Sequence, residues 1–550
     1  MKMLKVVTQI IAAFATLLGS TILAQDRPKT LAEQQYPEQM TAVEGKFQPT
    51  WASLRSYKIP EWYRDAKFGL WAHWGPQCQP EYGDWYARGM YQQINQKGEP
   101  NDQYKYHLKQ YGHPSKFGFK EVINTWKAEN WDPDRIVALC KRAGAEYFVA
   151  MANHHDNFDT WDSKYQPWNS VKIGPKKDLI GGWAAATRRQ GLRFGVSVHA
   201  ARTWHWFDFT QTSDTTGPMA GIPYDGKLTA ADGKGTWWEG LDPQDLYAQN
   251  HPIGQRTDAP YQIKFFNRTM DLVEKYRPDL IYFDDSILPF YGTGNNMALQ
   301  IAAQYYNRNM RWHGGKLDAV INGKGLKGDQ LNSLVNDIER GKSDKLEPLP
   351  WQTCSCIGDW HYKNYAPRKQ NYSKPEKVAA SLVDIVSKNG NLLLSIPMKG
   401  DGFFDDEAIT FLQTFGTWMD VVKEGIIATR PWRVYGEGPS TIVANQTKGE
   451  NGGITDFQRM PFTPEDIRFT TSKNGSYLYA FFMVWPEDTL NIQSLAKSSP
   501  HGSETTVASL SLLGSNEKLK WKQSETGLQV TLPKQMINPG PWSLKISLLR

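Results

Sequence analysis

Short, nearly continuous apolar runs alternate with longer amphipathic stretches from about residue 62 onward. Strands that are buried on both faces of a parallel sheet have this composition. Helical patterns with acidic starts or glycine ends precede several of these runs, as at 132–139, 183–190 and 265–275. The repeated helix–turn–strand units predict a (β/α)8-type barrel. The apolar runs are residues 68–71, 147–151, 194–198, 280–283, 319–321 and 392–396.

The pattern changes after about residue 431, where several runs alternate apolar and polar positions with a period of two. This alternation predicts a C-terminal antiparallel β-sandwich, with strands at 477–484, 519–522, 528–532 and 543–548. We therefore expect a catalytic barrel over 25–435, including an N-terminal lead-in, and a sandwich over 436–550. A long segment rich in Gly, Asp and Trp near 205–260 is expected to be an insertion that shapes a pocket.

The first residues, 1–24, have the pattern of a signal peptide. Lys2 and Lys5 form a basic start, an apolar stretch continues to about Leu18, and Ala24 is a small residue suited to cleavage. The apolar stretch is too short and too interrupted to predict a membrane span. We expect an exported protein, periplasmic or extracellular after cleavage, with no membrane partner.

Composition narrows the class of protein. The 550 residues are 40% hydrophobic and 22% charged, as in a soluble globular chain, and the net charge of +6 includes no dense Lys/Arg block, so nucleic acid is not expected as a partner. The 22 Trp, 25 Tyr and 23 Phe residues can pack on the flat faces of sugar rings or fill a large core. Cys354 and Cys356 lack a second ligand pair at zinc spacing, so neither a metal nor a cofactor is expected. The disulfide state and the oligomeric state stay open.

Polar side chains follow five of the predicted barrel strands at the point where each strand ends. In a barrel, the carboxyl ends of all strands meet at one face, and active sites lie there. No Gly-x-Ser-x-Gly elbow is present, which counts against a serine hydrolase. The residues are His73, then Asn153-His154-His155-Asp156, then His199, then Asp284-Asp285, and finally Asn322 and Lys324.

Asp284 is the candidate nucleophile of this group. It directly follows a buried strand, and a carboxylate among neutral imidazoles and a lysine stays ionised. A retaining glycosidase needs a second carboxyl about 5–5.5 Å away as acid/base. Asp337, Glu339 and Glu347 follow the next strand and are the candidates. A turn-capping role for Asp284, a metal hydrolase built on the histidines and a glycan-binding protein without activity remain alternatives.

Several long segments resemble the glycoside hydrolase family 29 α-L-fucosidases. They are residues 67–75 (KFGLWAHWG), 146–158 with 161–165 and 168–170, 278–284 (PDLIYFD) and 384–394 (DIVSKNGNLLL), so the resemblance covers about residues 60–435. It implies a retaining exo-hydrolase that releases terminal α-L-fucose from glycans, with a barrel and a C-terminal β-sandwich. It also implies that Asp284 is the nucleophile and that His73, His154 and His155 bind sugar hydroxyls.

The chain departs from the family pattern at residues expected to line the pocket. His199 stands where Tyr is common, Tyr282 where Trp is common, Lys324 near a usual Arg, and Asp84 where Glu is frequent. A pocket that is mainly hydrophobic discriminates weakly against an added hydroxyl, so an exo-α-L-galactosidase acting on algal galactan oligosaccharides by the same mechanism is the alternative.

Order along the chain favours Glu339 as the acid/base, with Glu347 in reserve. The predicted substrate-binding residues are His73, Trp74, Asp84, Trp85, His154, His155, His199, Tyr282, Lys324 and Trp360.

Overall fold

The structure is a computed structural model that describes residues 43–95, 97–292, 296–365, 368–441, 462–536 and 538–549. The predicted signal peptide lies outside these ranges. Within them, no helix combines the length and the apolar character that crossing a membrane requires.

Eight parallel strands close into a barrel. They are β1 Phe68–Ala72, β2 Tyr147–Asn153, β3 Arg193–Val198, β4 Leu280–Ser286, β5 Val320–Lys324, β6 Val335–Glu339, β7 Trp351–Cys356 and β10 Gly390–Ser395. Their order around the barrel is β1-β10-β7-β6-β5-β4-β3-β2, and the predicted (β/α)8-type barrel is therefore confirmed. Leu70 of β1 is in register with Leu394 of β10 on one side and with Phe148 of β2 on the other, so apolar side chains meet around the closure.

Helices connect most of the strands and cover the barrel. The predicted insertion near 205–260 contains short helical turns rather than long elements. A two-stranded ribbon, β8 Asn364–Tyr365 with β9 Arg368–Lys369, follows β7. The helices are α1 Trp51–Leu54, α2 Glu61–Ala66, α3 Tyr86–Gly89, α4 Asp102–Gln110, α5 Phe119–Thr125, α6 Pro133–Arg142, α7 Leu179–Arg189, α8 Thr203–Trp206, α9 Pro243–Tyr247, α10 Ala259–Tyr276, α11 Met297–Trp312, α12 Pro375–Ser387 and α13 Asp406–Val422.

Strands β6 and β7 were not among the predicted runs, because both carry polar side chains into the barrel interior. Gln352 of β7 accepts hydrogen bonds from the hydroxyls of Tyr63 and Tyr147 at 2.9 and 3.2 Å, and its Nε2 donates to Oδ1 of Asp337 at 2.8 Å. Cys354 Sγ donates to the other oxygen of Asp337 at 3.2 Å. Each of these buried polar groups is thereby paired, which is the condition for keeping it in a core.

The C-terminal region forms a five-stranded and a three-stranded antiparallel sheet. The strands are β11 Thr429–Glu437, β12 Ile467–Ser472, β13 Tyr477–Phe482, β14 Thr489–Ile492, β15 Val507–Leu512, β16 Lys520–Gln523, β17 Leu528–Thr531 and β18 Trp542–Leu548. Their orders are β11-β12-β13-β18-β15 and β14-β17-β16, and the predicted C-terminal antiparallel β-domain is confirmed. Its first strand begins at Thr429, so the boundary predicted after residue 435 divides that strand.

A buried ion pair joins the two domains. Arg468 of β12 donates its Nε–H to Oδ1 of Asp384 in α12 at 2.7 Å, and neither side chain has any exposed surface. Lys388 donates to the other oxygen of Asp384 at 3.0 Å. The buried carboxylate of Asp384 is therefore paired with two cationic side chains. The four cysteines, in contrast, are buried and form no disulfide.

Candidate active site

Asp284 lies in β4 at the carboxyl end of the barrel, and three neighbours hold its carboxylate. Nδ1 of His199 lies 3.1 Å from Oδ2, Nε2 of His155 lies 3.3 Å from the same oxygen, and Nζ of Lys324 lies 2.5 Å from Oδ1. His155 and His199 follow β2 and β3, and Lys324 ends β5. Four strands of the barrel thus converge on one carboxylate.

Lys324 also contacts the second predicted catalytic residue. Its Nζ lies 2.6 Å from Oε2 of Glu339, the last residue of β6. Because both carboxylates contact one nitrogen atom, their nearest oxygens lie within about 5 Å of each other, close to the separation in retaining glycosidases. The sequence-predicted pair Asp284 and Glu339 is therefore brought together across a single ammonium group.

Backbone geometry fixes the two histidines beside Asp284. The side chain of Asn153, at the end of β2, accepts the backbone N–H groups of His199 and Ala200 at 3.1 Å each. Nδ1 of His155 donates to the carbonyl oxygen of His199 at 2.9 Å, which directs its Nε2 to Asp284. The ends of β2 and β3 are thereby joined, so both imidazoles keep a constant position relative to the carboxylate.

Charges and burial set the protonation states of this group. Burial alone would raise the pKa of Asp284, but the charge of Lys324 and the hydrogen bonds from His155 and His199 hold it well below its usual value. Burial would lower the pKa of Lys324, but Asp284 and Glu339 raise it. Burial lowers the pKa of His199 to about 4, against the opposing effect of Asp284. At neutral pH the site therefore contains an ionised Asp284, a charged Lys324 and a neutral His199.

Three further imidazoles form a second cluster next to His199. The ring centroid of His73 lies 5.1 Å from that of His199, 5.0 Å from that of His154 and 4.9 Å from that of His361. Burial, reinforced by the neighbouring histidines, lowers the pKa values of His73 and His154 well below the usual value. Both nitrogens of His73 and Nε2 of His361 have no hydrogen-bond partner among the described residues. The cluster thus presents unpaired polar atoms to a ligand.

The same nitrogens have spacings that suit a metal ion. One ligand atom each from His73, His154 and His361, and one each from His154, His155 and His199, lie within 4.8 Å of one another. Neutral imidazole is a common metal ligand and also a partner for a sugar hydroxyl. The arrangement can therefore hold either kind of ligand.

His361 is a pocket residue that the sequence reasoning missed. Its backbone N–H donates to Oδ1 of Asp84 at 2.7 Å, and its Nδ1 lies 3.2 Å from the same oxygen. The backbone N–H of Trp360 donates to Oδ2 of Asp84 at 3.3 Å. The predicted site residue Asp84 thus positions the segment that carries His361. The contact joins positions 277 residues apart, so no local sequence signal indicates it.

Two aromatic residues predicted for the site lie next to its charged and histidine side chains. Tyr282 is buried below Lys324, whose Nζ lies 5.4 Å from the centre of its ring, and its hydroxyl lies 3.4 Å from Cys354 Sγ. The centre of the Trp360 ring lies 5.4 Å from that of the His73 ring. The Trp360 ring also contacts the ring of Trp71 and the guanidinium group of Arg340. The ring of Trp360 therefore offers apolar surface beside the polar cluster, whereas Tyr282 is only 1% exposed and lies inside the barrel beneath Lys324.

Two other predicted binding residues lie elsewhere. Trp74 is buried against Trp126 and Trp183, and its indole N–H donates to the carbonyl oxygen of Lys399 at 2.9 Å. This position is in the aromatic core behind β1, where the Trp74 side chain is 2% exposed. Trp85 is 57% exposed, with a φ of 64°, and has no contact with the histidines among those described.

The two other acidic candidates are also separated from Asp284. Glu347 accepts a hydrogen bond from Ser343 at 2.7 Å, and Asn389, just before β10, donates to its carbonyl oxygen at 3.1 Å. Glu347 therefore lies near the amino end of the barrel strands, away from the site. Asp337 points into the barrel interior, where Gln352 and Cys354 bind it. Of the three acidic candidates, Glu339 alone shares Lys324 with Asp284 through the described hydrogen bonds.

Two carboxylates at this separation, at the mouth of a parallel barrel, define a glycoside hydrolase. Comparison with known proteins gives the family. The model of the alpha-L-fucosidase family matches residues 34–424, and that of the alpha-L-fucosidase C-terminal domain matches residues 460–547. The chain belongs to the alpha-L-fucosidase family.

Similar proteins span nearly the same length. The tissue alpha-L-fucosidase of Rattus norvegicus is 26% identical over 515 residues, which are 91% of this chain and 92% of the relative. The human tissue alpha-L-fucosidase is 26% identical over 516 residues, with 91% and 92% covered. The crystal structure of Thermotoga maritima alpha-fucosidase has a TM-score of 0.63 at 25% identity and covers 91% of this chain and 100% of that chain. The alpha-L-fucosidase isoenzyme 1 of Paenibacillus thiaminolyticus shares the fold. Its TM-score is 0.61 at 19% identity, and the match covers 90% of this chain and 100% of that chain.

Proposed function

We propose that the protein is a retaining exo-hydrolase that releases terminal α-L-fucose from glycans. The observation that carries the proposal is the bridge formed by Lys324, which lies 2.5 Å from Asp284 and 2.6 Å from Glu339. It keeps the nearest oxygens of the two carboxyl groups within about 5 Å of each other, a distance compatible with a double displacement. The similarity to the tissue alpha-L-fucosidases of Rattus norvegicus and of humans supports fucose as the sugar.

In the first step, an oxygen of Asp284 attacks the anomeric carbon of the bound sugar. The bond between that carbon and the glycosidic oxygen breaks, its electron pair stays on the oxygen, and Glu339, which enters this step as the protonated carboxyl group, supplies the proton that this oxygen takes. Lys324 and His199 keep Asp284 ionised for the attack. The product of this step is a glycosyl ester on Asp284 and a free aglycone alcohol.

In the second step, a water molecule attacks the same anomeric carbon from the face that the aglycone left. Glu339 takes a proton from this water, the ester bond to Asp284 breaks, and its electron pair returns to the carboxylate. Two inversions give net retention of configuration. Glu339 and Asp284 are then in their starting states.

A second candidate substrate is terminal α-L-galactose. L-Fucose is 6-deoxy-L-galactose, so the two sugars differ by a hydroxyl at C6. The observation that favours this candidate is the set of buried, unpaired nitrogens on His73 and His361. A pocket with such atoms has hydrogen-bonding capacity for an additional hydroxyl.

The proposal is tested with an Asp284→Gly variant and aryl α-L-glycosides. We expect a loss of kcat of at least about 1,000-fold because the nucleophile is absent. Azide is expected to restore turnover and to give a glycosyl azide of inverted configuration, identified by NMR. Asp285→Asn is the matched control, since the neighbouring carboxylate of Asp285 lies 3.9 Å from Arg202 and is not the proposed nucleophile. Its kcat should stay within a few-fold of the parent value. Full activity in the Asp284→Gly variant would overturn the assignment.

We also propose that the protein is exported. The basic start and apolar stretch before Ala24 support cleavage after that residue. Fractionation of the source cells should recover the protein outside the cytoplasm with an N-terminus at Gln25. Full-length protein confined to the cytoplasm would contradict this proposal.

A further inference from the structure

His361 is held in one orientation by Asp84. The carboxylate accepts the backbone N–H of His361 at 2.7 Å, and it lies 3.2 Å from the ring nitrogen Nδ1. Because a carboxylate only accepts hydrogen bonds, Nδ1 carries the hydrogen in this contact. The hydrogen bonds from His361 and from the Trp360 backbone outweigh the effect of burial and lower the pKa of Asp84, so the carboxylate is ionised.

The remaining ring nitrogen of His361 faces the other imidazoles without a partner among the described residues. Its side chain is 1% exposed, its ring centroid lies 4.9 Å from that of His73 and 4.8 Å from that of His154, and Nε2 is unpaired. Both nitrogens of His73 are unpaired as well. A buried polar atom without a partner is unfavourable, so a ligand that pairs these three nitrogens gains binding energy.

The order of contacts places His361 on the side of the pocket remote from the reacting carbon. His199 contacts Asp284, His73 contacts His199, and His361 contacts His73. A pyranose whose anomeric carbon is at Asp284 therefore passes His199 and His73 before its far edge reaches His361. That far edge carries the substituents of C3, C4 and C5.

The two candidate sugars differ in how many hydroxyl groups they can offer to the three unpaired histidine nitrogens. The hydroxyls on C3 and C4 are common to L-fucose and L-galactose, and they can serve the two nitrogens of His73. The third nitrogen, Nε2 of His361, gains a partner from the sugar when the C5 substituent also carries a hydroxyl. L-Galactose has that hydroxyl on C6, whereas L-fucose has a methyl group there.

We propose that His361, oriented by Asp84, is a specificity-determining residue that binds the C6 hydroxyl of the substrate, so the enzyme prefers terminal α-L-galactosides to α-L-fucosides. This inference rests on the proposed retaining exo-hydrolase mechanism, and of the two candidate sugars it selects α-L-galactose over α-L-fucose. A site built to hydrogen-bond a hydroxyl rejects the analogue that lacks it far more strongly than an apolar pocket rejects an added hydroxyl.

The test compares kcat/KM for 4-nitrophenyl α-L-galactoside and 4-nitrophenyl α-L-fucoside in the parent and in His361→Leu. We expect the parent to prefer the galactoside, and we expect the galactoside-to-fucoside ratio to fall about 100-fold in the variant. His313→Leu, an exposed histidine after α11, is the matched control and should leave the ratio unchanged. Asp84→Asn should lower the ratio by a smaller factor, since it weakens the orientation of the ring.

A second measurement needs no variant. L-Galactose should inhibit the parent enzyme at a concentration at least about 10-fold lower than L-fucose does. Equal losses on both substrates in His361→Leu, or a parent preference for the fucoside, would overturn the inference and leave the proposed hydrolase standing. Activity abolished by EDTA and restored by zinc would assign the histidines to a metal instead. If the parent cleaves neither glycoside, the proposed function itself fails.

Discussion

His199 donates its Nδ1–H to Oδ2 of Asp284 across 3.1 Å. Its other nitrogen, Nε2, lies 3.1 Å from Oγ of Ser197, and that oxygen also accepts the indole N–H of Trp71 at 3.2 Å. Because the indole can only donate, the hydroxyl hydrogen of Ser197 is directed to Nε2. The result is a chain of hydrogen bonds that fixes the tautomer of His199 and aims its N–H at the nucleophile.

Ser197→Ala removes the group that fixes this tautomer. We expect kcat/KM to fall about 10-fold, because part of the population of His199 then places its hydrogen on Nε2 and no longer binds Asp284. The melting temperature should change little. Ser387→Ala, which removes a buried hydroxyl in α12 bonded to the carbonyl oxygen of Asp384, controls for the loss of a buried serine. An equal effect of both substitutions on kcat/KM would show that Ser197 does not act by fixing the tautomer of His199.

Lys324→Met removes the charge between the two carboxylates. Since that charge lowers the pKa of Asp284, the substitution should raise this pKa. The acid limb of the kcat/KM profile should therefore move to higher pH, with a loss of about 100-fold at pH 5. Lys324→Arg, which keeps the charge, should return the limb toward the parent position. Lys327→Met, at an exposed lysine, is the control and should leave the acid limb in place. An unshifted acid limb in Lys324→Met would show that Lys324 does not control the ionisation of Asp284.

Glu339→Ala and Glu347→Ala separate the two remaining acid/base candidates. Loss of the proton donor affects substrates with poor leaving groups most, so Glu339→Ala should reduce hydrolysis of natural glycosides by about 100-fold more than that of aryl glycosides. Glu347→Ala should change neither, because its carboxylate bonds Ser343 near the amino end of the barrel. The reverse order of effects would make Glu347 the acid/base.

Asp337→Asn tests the polar group inside the barrel. Burial raises the pKa of Asp337 to about 6, with partial opposition from Lys324 and Gln352. Its folded pKa lies above the unfolded value of about 3.9, so folding is favoured as the pH falls from about 6 to about 4 and is penalised above 6, by about 1–3 kcal/mol. The asparagine should therefore raise the free energy of unfolding at pH 7.5 and remove this pH dependence.

The measurement for Asp337→Asn is urea unfolding at pH 7.5 and pH 4.5, compared with the parent. The histidines with lowered pKa values act in the opposite direction, since the unfolded chain binds their protons first as the pH falls below about 6.5. The difference between variant and parent isolates the aspartate. Asp420→Asn, whose side chain is 75% exposed, should show no such difference. A lower stability of Asp337→Asn at pH 7.5 would refute the prediction.

The sequence predicted the barrel through six strands whose side chains are apolar on both faces. Strands β6 and β7 were not predicted because their inward-facing residues Asp337, Gln352 and Cys354 interrupt the apolar run. A polar sequence of this kind cannot be distinguished from a loop by its periodicity. Glu339 was predicted only by its order along the chain, since nothing local indicates that it meets Lys324.

Only part of the pocket was predicted, because some of its residues follow recognisable strands and others depend on long-range contacts. His73, His154, His155 and His199 directly follow buried strands, so their convergence at one face follows from parallel topology. His361 follows β7, which the pattern missed, and its orientation depends on Asp84, 277 positions earlier. Long-range contacts of this kind follow from the closed barrel and not from any segment of the chain.

The contact between Arg468 and Asp384 has a consequence for how this molecule can be engineered. A barrel produced without the sheets after residue 425 would keep the ion pair of Asp384 with Lys388 but lose the guanidinium that binds Oδ1 of this buried carboxylate. Removing one member of a buried ion pair typically costs about 3–5 kcal/mol, a large part of a domain's whole stability. Calorimetry of the intact chain should accordingly show one endotherm, and chimeras with relatives should exchange α12 and β12 as a unit.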